Sequence, residues 1–343
     1  QARVVFASVA GTTYWIRVSG DREAVGAGTL DISCRVLSDL CADASPIYNG
    51  STLFSTSTST GTDVTSCGTN DYKDIWMTYT ATCAGEVVMS TCGVTFNSTL
   101  AAFSSCGGTE IACNNDDPSC GVGSTITFPA LPGEQFLVRI SGIGGSSGGG
   151  TLTTACNPIN WYSRASGSAS DPIWARTPSG SPGAAVFNQY ASIVVQADHN
   201  IVQDMPSVLA RRLVVVSSGS YDVGPNTIDL LADLEVEGSL NAANGELRMI
   251  GGSKQVITGT TPIEVRDITL DNPGGLDLMS PLDIIGTLSL VQGEFTTNEN
   301  KVRLVSNASG TARLGPVGAS ASMNGNLFVE RYVPAGTTNW RPL

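Results

Sequence analysis

The chain has 343 residues, a formal net charge of −12, a pI near 4.4 and only 14% charged residues. With no basic cluster, so acidic a polypeptide repels nucleic acid and anionic lipid, and no apolar run approaches the roughly 18 residues of a membrane-spanning helix. Its length allows two or three domains. Abundant Gly, Ser and Thr, without long amphipathic periods, exclude a helical bundle and predict an all-β chain rich in turns.

The opening "QARVVFASVAG" lacks the charged and apolar regions of a signal peptide. The next stretch, "VAGTTYWIRVSG" (9–20), has a near twin in "LPGEQFLVRISG" (131–142), and residues 11–34 align with 133–156 without a gap. Gly11, Arg17, Ser19, Gly20, Gly26, Gly28, Thr29, Leu30 and Cys34 recur as Gly133, Arg139, Ser141, Gly142, Gly148, Gly150, Thr151, Leu152 and Cys156. Tyr14, Ile16 and Val18 meet Phe136, Val138 and Ile140, the alternation of a half-buried strand. Residues 1–34 therefore read as the C-terminal tail of a truncated sandwich module, and the chain as a window on a longer protein.

Residues 35–156 read as one complete module. "DIWMTYTA", "GEVVMSTC", "STLAAFSSC", "STITFPAL" and "QFLVRISG" are short runs rich in β-branched and aromatic residues, separated by Gly, Asn, Asp and Pro turns. The polar "STSTSTGT" (55–62) is expected as an exposed loop, and "SGIGGSSGGG" (141–150) as a flexible hairpin loop rather than a phosphate cradle. All nine cysteines lie in the first half, which indicates a disulfide framework formed in an oxidising, extracellular compartment. Cys34 matches Cys156, so its partner is expected upstream. Repeat logic and proximity pair Cys41 with Cys67, Cys83 with Cys156, Cys92 with Cys106, and Cys113 with Cys120, out of roughly a hundred connectivities that eight cysteines allow. Zinc–thiolate chemistry is the competing reading, disfavoured by wide spacings and the lack of His in this region.

"CADASPI", then "SCGTNDYKDIWMTYTATCAGEVVMSTCGVTFNSTLAAFSSC", "ACNNDDPSCGVGSTITFPALPGEQFLVRISG" and a closing "GTLTTAC" together resemble the bacterial pre-peptidase C-terminal type of module, over 35–156 and, as a tail, 1–34. The resemblance implies a jelly-roll β-sandwich, used as an accessory module of secreted proteins, often peptidases, for adhesion, substrate contact or folding. It implies no chemistry of its own.

In "CNNDDPSC" (113–120), Asn114, Asn115, Asp116 and Asp117 crowd hard oxygen ligands into one segment, which suits Ca2+. A polar turn whose Asx side chains bond their own backbone fits as well. Asn115, Asp116 and Asp117 are the candidate ligands, and calcium is the one cofactor considered.

Residues 157–192 lose cysteine and gain Ser, Pro and Gly around Trp161 and Trp174, as a linker and N-terminal cap of the next domain would. From 193 to 310, short alternating strands such as "SIVVQA", "RRLVVVSSG", "ELRMIGG" and "EVRDITLDN" are punctuated by Gly or Asn about every ten residues, predicting a parallel β-solenoid. A second antiparallel sandwich is the alternative. Residues 311–343, ending in "GNLFVERYVPAGTTNWRPL", are expected to start a further, truncated β region. The stretch from "KQVITG" onward resembles β-solenoid regions of large secreted surface proteins of gliding and biofilm-forming bacteria.

Catalytic constellations are thin. The single histidine, His199, has Asp198 adjacent and Asp204 five residues on, but no nucleophile elbow accompanies it, and a solvated turn histidine is the expectation. Paired carboxylates could converge on a solenoid, the basis of a third, weaker reading as a polysaccharide-cleaving enzyme. Asn49, Asn97 and Asn307 sit in N-x-S/T sequons and are glycan acceptors only if the chain is glycosylated.

The expected whole is an extracellular, non-enzymatic, all-β chain: a disulfide-braced jelly-roll-like sandwich plus a β-solenoid, a structural or adhesive segment of a large secreted bacterial surface or filament protein. Its expected partners are copies of itself or neighbouring modules, and glycans. The alternative is a non-catalytic accessory region of a secreted peptidase or polysaccharide-degrading enzyme.

Overall fold

The computed structural model describes residues 12–18, 29, 30, 32, 39–62 and 65–333. The remaining residues of the expected 1–34 tail, and 334–343 of the expected 311–343 region, lie outside the described residues. Among the described residues the chain is all β apart from one 3-10 turn, Cys41–Asp43. It divides into two units, Gln1–Asn157 and Pro158–Leu343.

The first unit contains β1 (Ser45–Ile47), β2 (Gly50–Ser55), β3 (Asp71–Thr80), β4 (Gly85–Ser90), β5 (Ser98–Phe103), β6 (Glu110–Asn115), β7 (Thr125–Ala130), β8 (Gln135–Ile143) and the first half of β9 (Gly149–Ser163). One sheet runs β1-β3-β8-β5-β6, and the other pairs β2 with β9, β9 with β4 and β4 with β7. Apolar alternation explains the two layers: Ile75, Met77, Tyr79, Val138 and Ile140 from the first sheet meet Val87, Met89, Ile126 and Phe128 from the second. The glycine-rich 144–148 segment carries the chain from β8 in one sheet to β9 in the other, so it is an inter-sheet crossover instead of the expected hairpin loop. Gly144 and Gly145 supply its left-handed backbone (φ 61° and 80°).

Four disulfides brace this unit, and three differ from the expected set. Cys83 bonds Cys156, but Cys41 bonds Cys106, Cys67 bonds Cys113, and Cys92 bonds Cys120. Sequence proximity misleads because Cys92 and Cys106 flank β5, a six-residue strand that separates its ends by roughly 20 Å, beyond any disulfide. Strand β6 likewise carries Cys113 along the sheet edge to Cys67, leaving Cys120 to meet Cys92. The polar 55–62 tract is only partly exposed, with Thr56 and Ser59 buried.

The second unit is a parallel β-solenoid of about 7 turns with three strand-bearing faces. Its inward columns are continuous: Ile193, Leu213, Leu234, Ile257 and Leu278 on one face, Ala242, Val265, Ile284 and Leu304 on the second, and Val208, Ile228, Leu247, Ile268 and Leu288 on the third. All of these are at most 3% exposed. Each turn takes about twenty residues and buries its inward side chains on the turns above and below, which a single turn cannot do alone. The solenoid is longer than the expected 193–310. Residues 159–162 already pair in parallel with 191–194, and the strands over 313–329 continue the solenoid instead of opening a further region. Trp174, fully buried, packs edge-on against Phe187 at 5.1 Å and gives its Nε1–H to the Ala169 carbonyl, capping the first turn.

Candidate functional site

The most developed polar site lies on the outer face of the β1-β3-β8-β5-β6 sheet. Asp71 and Asp74 are three residues apart, so a regular strand would point them to opposite faces. A bulge between Tyr72 and Ile75, with Lys73 at φ 58°, inserts one extra residue against β8 and turns both carboxylates toward Arg139. The Arg139 NH1 group donates to Asp71 Oδ2 at 2.6 Å, its Nε to Asp74 Oδ2 at 3.1 Å, and its NH2 to the Asp71 carbonyl at 2.6 Å. Trp76 Nε1 and Thr65 Oγ1 donate to Asp74 and Asp71 at 2.9 and 2.7 Å. Asp71 and Asp74 are 0% exposed and Arg139 1%.

The segment before β3 covers this cluster. Lys73 N–H donates to the Gly61 carbonyl, and a Cβ on Gly61 would stand 1.8 Å from Asp74 Oδ1, so only glycine fits. Ser66 is held by Glu110, and the Cys67–Cys113 bond fixes the end of the segment to β6. A water-excluded ion cluster of this kind locks geometry and specifies which strands pair. Motif reading overlooked it. Its only trace in the sequence is the recurrence of arginine at positions 17 and 139.

The proposed calcium ligands are split by the fold. Asn114 and Asn115 belong to β6, and only 116–120 form a turn. Asn114 Oδ1 accepts from Thr125 N, and Asp117 Oδ1 accepts from Ser119 N and Oγ at 2.8 and 2.7 Å, an Asx turn. Hydrogen bonds from the Thr125 hydroxyl first, and then from Ser119, hold the Asp117 carboxyl below its ordinary range. Cys92, Asp117 and Cys120 lie close together, but the two sulfurs are bonded to each other and offer no thiolate. A Ca2+ here would draw on Asn115 Oδ1, the exposed Asp116 carboxylate and an Asp117 already engaged, a thin set for an ion that takes six to eight oxygens.

Elsewhere the predicted residues stand apart. His199 is half-buried rather than solvated, its Nδ1 2.8 Å from the buried Ser163 hydroxyl, which also accepts from Gln196 N. Asp204 is taken by Ser170, whose hydroxyl is the main cause of its lowered pKa, and Asp198 N–H donates to Ser218. Asn49 is exposed, but its amide bonds Thr82 and Tyr79. Asn97 is half-buried, and Asn307 is exposed in a turn with Ser309.

On the solenoid surface, ion pairs join successive turns: Arg248–Asp229 at 3.2 Å, Lys254–Asp277 at 2.9 Å, Arg212–Glu235, and Arg303 between Asp283 and Glu330. A shallow recess of about 250 Å³ lined by Glu235, Val236, Glu237, Thr258, Gly259 and Thr260 is open to solvent and below the size of usual small-molecule pockets.

Residues 38–141 match a T9SS-associated family profile described as galactose-binding domain-like. This match does not confirm the pre-peptidase C-terminal type which the motifs resemble. No curated protein and no solved structure matches the chain. The T9SS-associated match and the four disulfides point to secretion or the cell surface.

Proposed function

We propose that this chain is a structural and adhesive segment of a secreted protein displayed at the cell surface, and that it performs no catalysis itself. The observation that carries this reading is the solenoid: a continuous apolar core with ion pairs laced from turn to turn, whose strands over 313–329 hold Leu314, Val317 and Val329 at 43, 50 and 68% exposure. Such a stack makes a stiff, protease-resistant rod, and these exposed apolar side chains suit association with another β element, such as a further module or copy. The test is analytical ultracentrifugation of the purified chain over a concentration series, with Val317→Asp as control. Self-association abolished by the substitution supports the reading. A chain monomeric to high micromolar concentration counts against it.

A second reading is favoured by the galactose-binding-like match over 38–141: the sandwich contacts carbohydrate, as part of an adhesin or as an accessory region beside a catalytic domain. Retention of the chain on immobilised galactose-containing polysaccharide, competed by free galactose, would support it. Passage through the column unretarded would remove it.

A further inference from the structure

Among the described residues, the two sheets of the sandwich end in β1, β6, β2 and β7, and three of these edges are guarded against pairing with another strand. Strand β1 is three residues long and contains Pro46. Strand β6 is tied to the segment before β3 by the Cys67–Cys113 bond and by Ser66 on Glu110. On β7, the Thr91 N–H donates to the Ser124 carbonyl, so the alternation of an antiparallel pair turns the backbone groups of Thr125, Thr127 and Pro129 away from β4. Asn114 Oδ1 takes the Thr125 N–H, and Pro129 has none to offer. Strand β2 has no such guard. The Thr56 N–H donates to the Gly148 carbonyl at 2.9 Å, and the same alternation gives the groups of Gly50, Thr52 and Phe54 to β9 and points those of Ser51, Leu53 and Ser55 outward. These three residues are exposed, Leu53 at 54%. Residues 44–62 and 140–157 contain no charged residue, so in a chain of net charge −12 this edge lacks the charges that ordinarily keep edges apart.

We propose that β2 is a docking edge for a second copy of this chain: the β2 strands of two copies pair antiparallel about a twofold axis at Leu53, joining their β2-β9-β4-β7 sheets into one. Ser51 of one copy then faces Ser55 of the other, and Leu53 faces Leu53. This register engages every outward residue of the strand, each opposed pair exchanging two hydrogen bonds. The occupant is a copy because the edge is complementary to itself. Ser-x-Leu-x-Ser over 51–55 reads alike in both directions, and a neutral edge meets a neutral edge, whereas a foreign partner matched to so acidic a chain would be basic. An edge this short buries less than the roughly 1,200 Å² of a stable interface, so the pairing depends on concentration and gains where copies are held side by side. This inference does not rest on the adhesive reading.

The test is disulfide trapping of the full chain in a Cys34→Ser background, the other eight cysteines being bonded to one another. Oxidised glutathione is the oxidant: it takes two electrons and two protons from a thiol pair and leaves as two reduced glutathiones. In the proposed register the two Leu53 Cα atoms lie about 5.5 Å apart, within disulfide range, whereas Ser51 of one copy lies about 13 Å from Ser51 of the other. Leu53→Cys should therefore link two chains at least tenfold faster than Ser51→Cys or Ser55→Cys alone, and a mixture of the last two should link across. Leu53→Cys no faster than Ser51→Cys, or a mixture that does not link, overturns the proposal. Adding Val317→Asp should leave the Leu53→Cys rate unchanged, and a rate lost with it would place the contact on the solenoid and overturn the proposal. A synthetic peptide with the sequence of residues 49–56 should slow the linking, and a scrambled peptide that slows it equally would make β2 a general strand acceptor and overturn the choice of a copy. The unsubstituted chain gives a second measurement: hydrogen exchange at Ser51, Leu53 and Ser55 should slow as protein concentration rises, and rates constant up to about 1 mM overturn the pairing.

Discussion

Arg139→Met tests the buried ion cluster most directly. The methionine roughly fills the arginine's space but leaves Asp71 and Asp74, both 0% exposed, without the cation that touches each of them at 2.6 and 3.1 Å. Removing one side of a buried pair typically costs about 3–5 kcal/mol, most of it the penalty of the stranded charge. For a module of roughly a hundred residues that corresponds to a fall in Tm of about 15–35 °C. Calorimetry is the suitable assay, because the sandwich and the solenoid have separate cores and each is expected to give its own transition. The sandwich transition should drop and the solenoid transition should stay in place. Arg139→Lys should fall in between, since an ammonium cannot span Asp71, Asp74 and the Asp71 carbonyl as the guanidinium fork does. A loss below about 1 kcal/mol in Arg139→Met, or equal shifts in both transitions, would refute the reasoning.

Four further outcomes can be checked. Replacing Cys67 and Cys113 together by alanine removes a bond of sequence separation 46 and should cost about 4 kcal/mol on the chain-entropy account, read from denaturant midpoints, while non-reducing peptide mapping should recover Cys41–Cys106 and Cys92–Cys120. Leu234→Ala opens a hole in a continuous inward column and should lower solenoid stability by about 2–5 kcal/mol with no effect on the sandwich transition. Adding millimolar Ca2+ or a chelator should move neither Tm by more than about 1 °C, given how few free oxygens residues 113–120 present; a rise of several degrees, lost in Asp116→Asn, would reinstate the calcium site. Because hydrogen bonds lower the pKa of Asp117, the stability it confers is complete above the ordinary carboxylate range of about 4 and is lost as pH falls through its depressed value, so Asp117→Asn should flatten that acid limb in urea midpoints measured against pH.

Local chemistry determined a good deal. Period-two alternation fixed the strands and their inward residues, because a strand's side chains point alternately to its two faces whatever its partners are. Regular punctuation by Gly and Asn marked a stack of short strands as a solenoid. The cysteine density indicated an oxidising compartment, and the internal repeat tied Arg17 and Cys34 to Arg139 and Cys156. The tertiary structure alone decided which elements meet. Cysteines close in sequence part because an intervening strand is rigid and extended, so Cys92 reaches Cys120 instead of Cys106. The glycine-rich crossover joins two sheets, a distinction that its composition does not encode. The cluster of Asp71, Asp74 and Arg139 was hidden for a similar reason. A spacing of three reads as opposite faces until a bulge, set by the pairing of β3 with β8, adds the residue that turns both carboxylates inward. Periodicity is written along the chain, whereas register, crossover and bulge depend on the partner strand, which the sequence does not name.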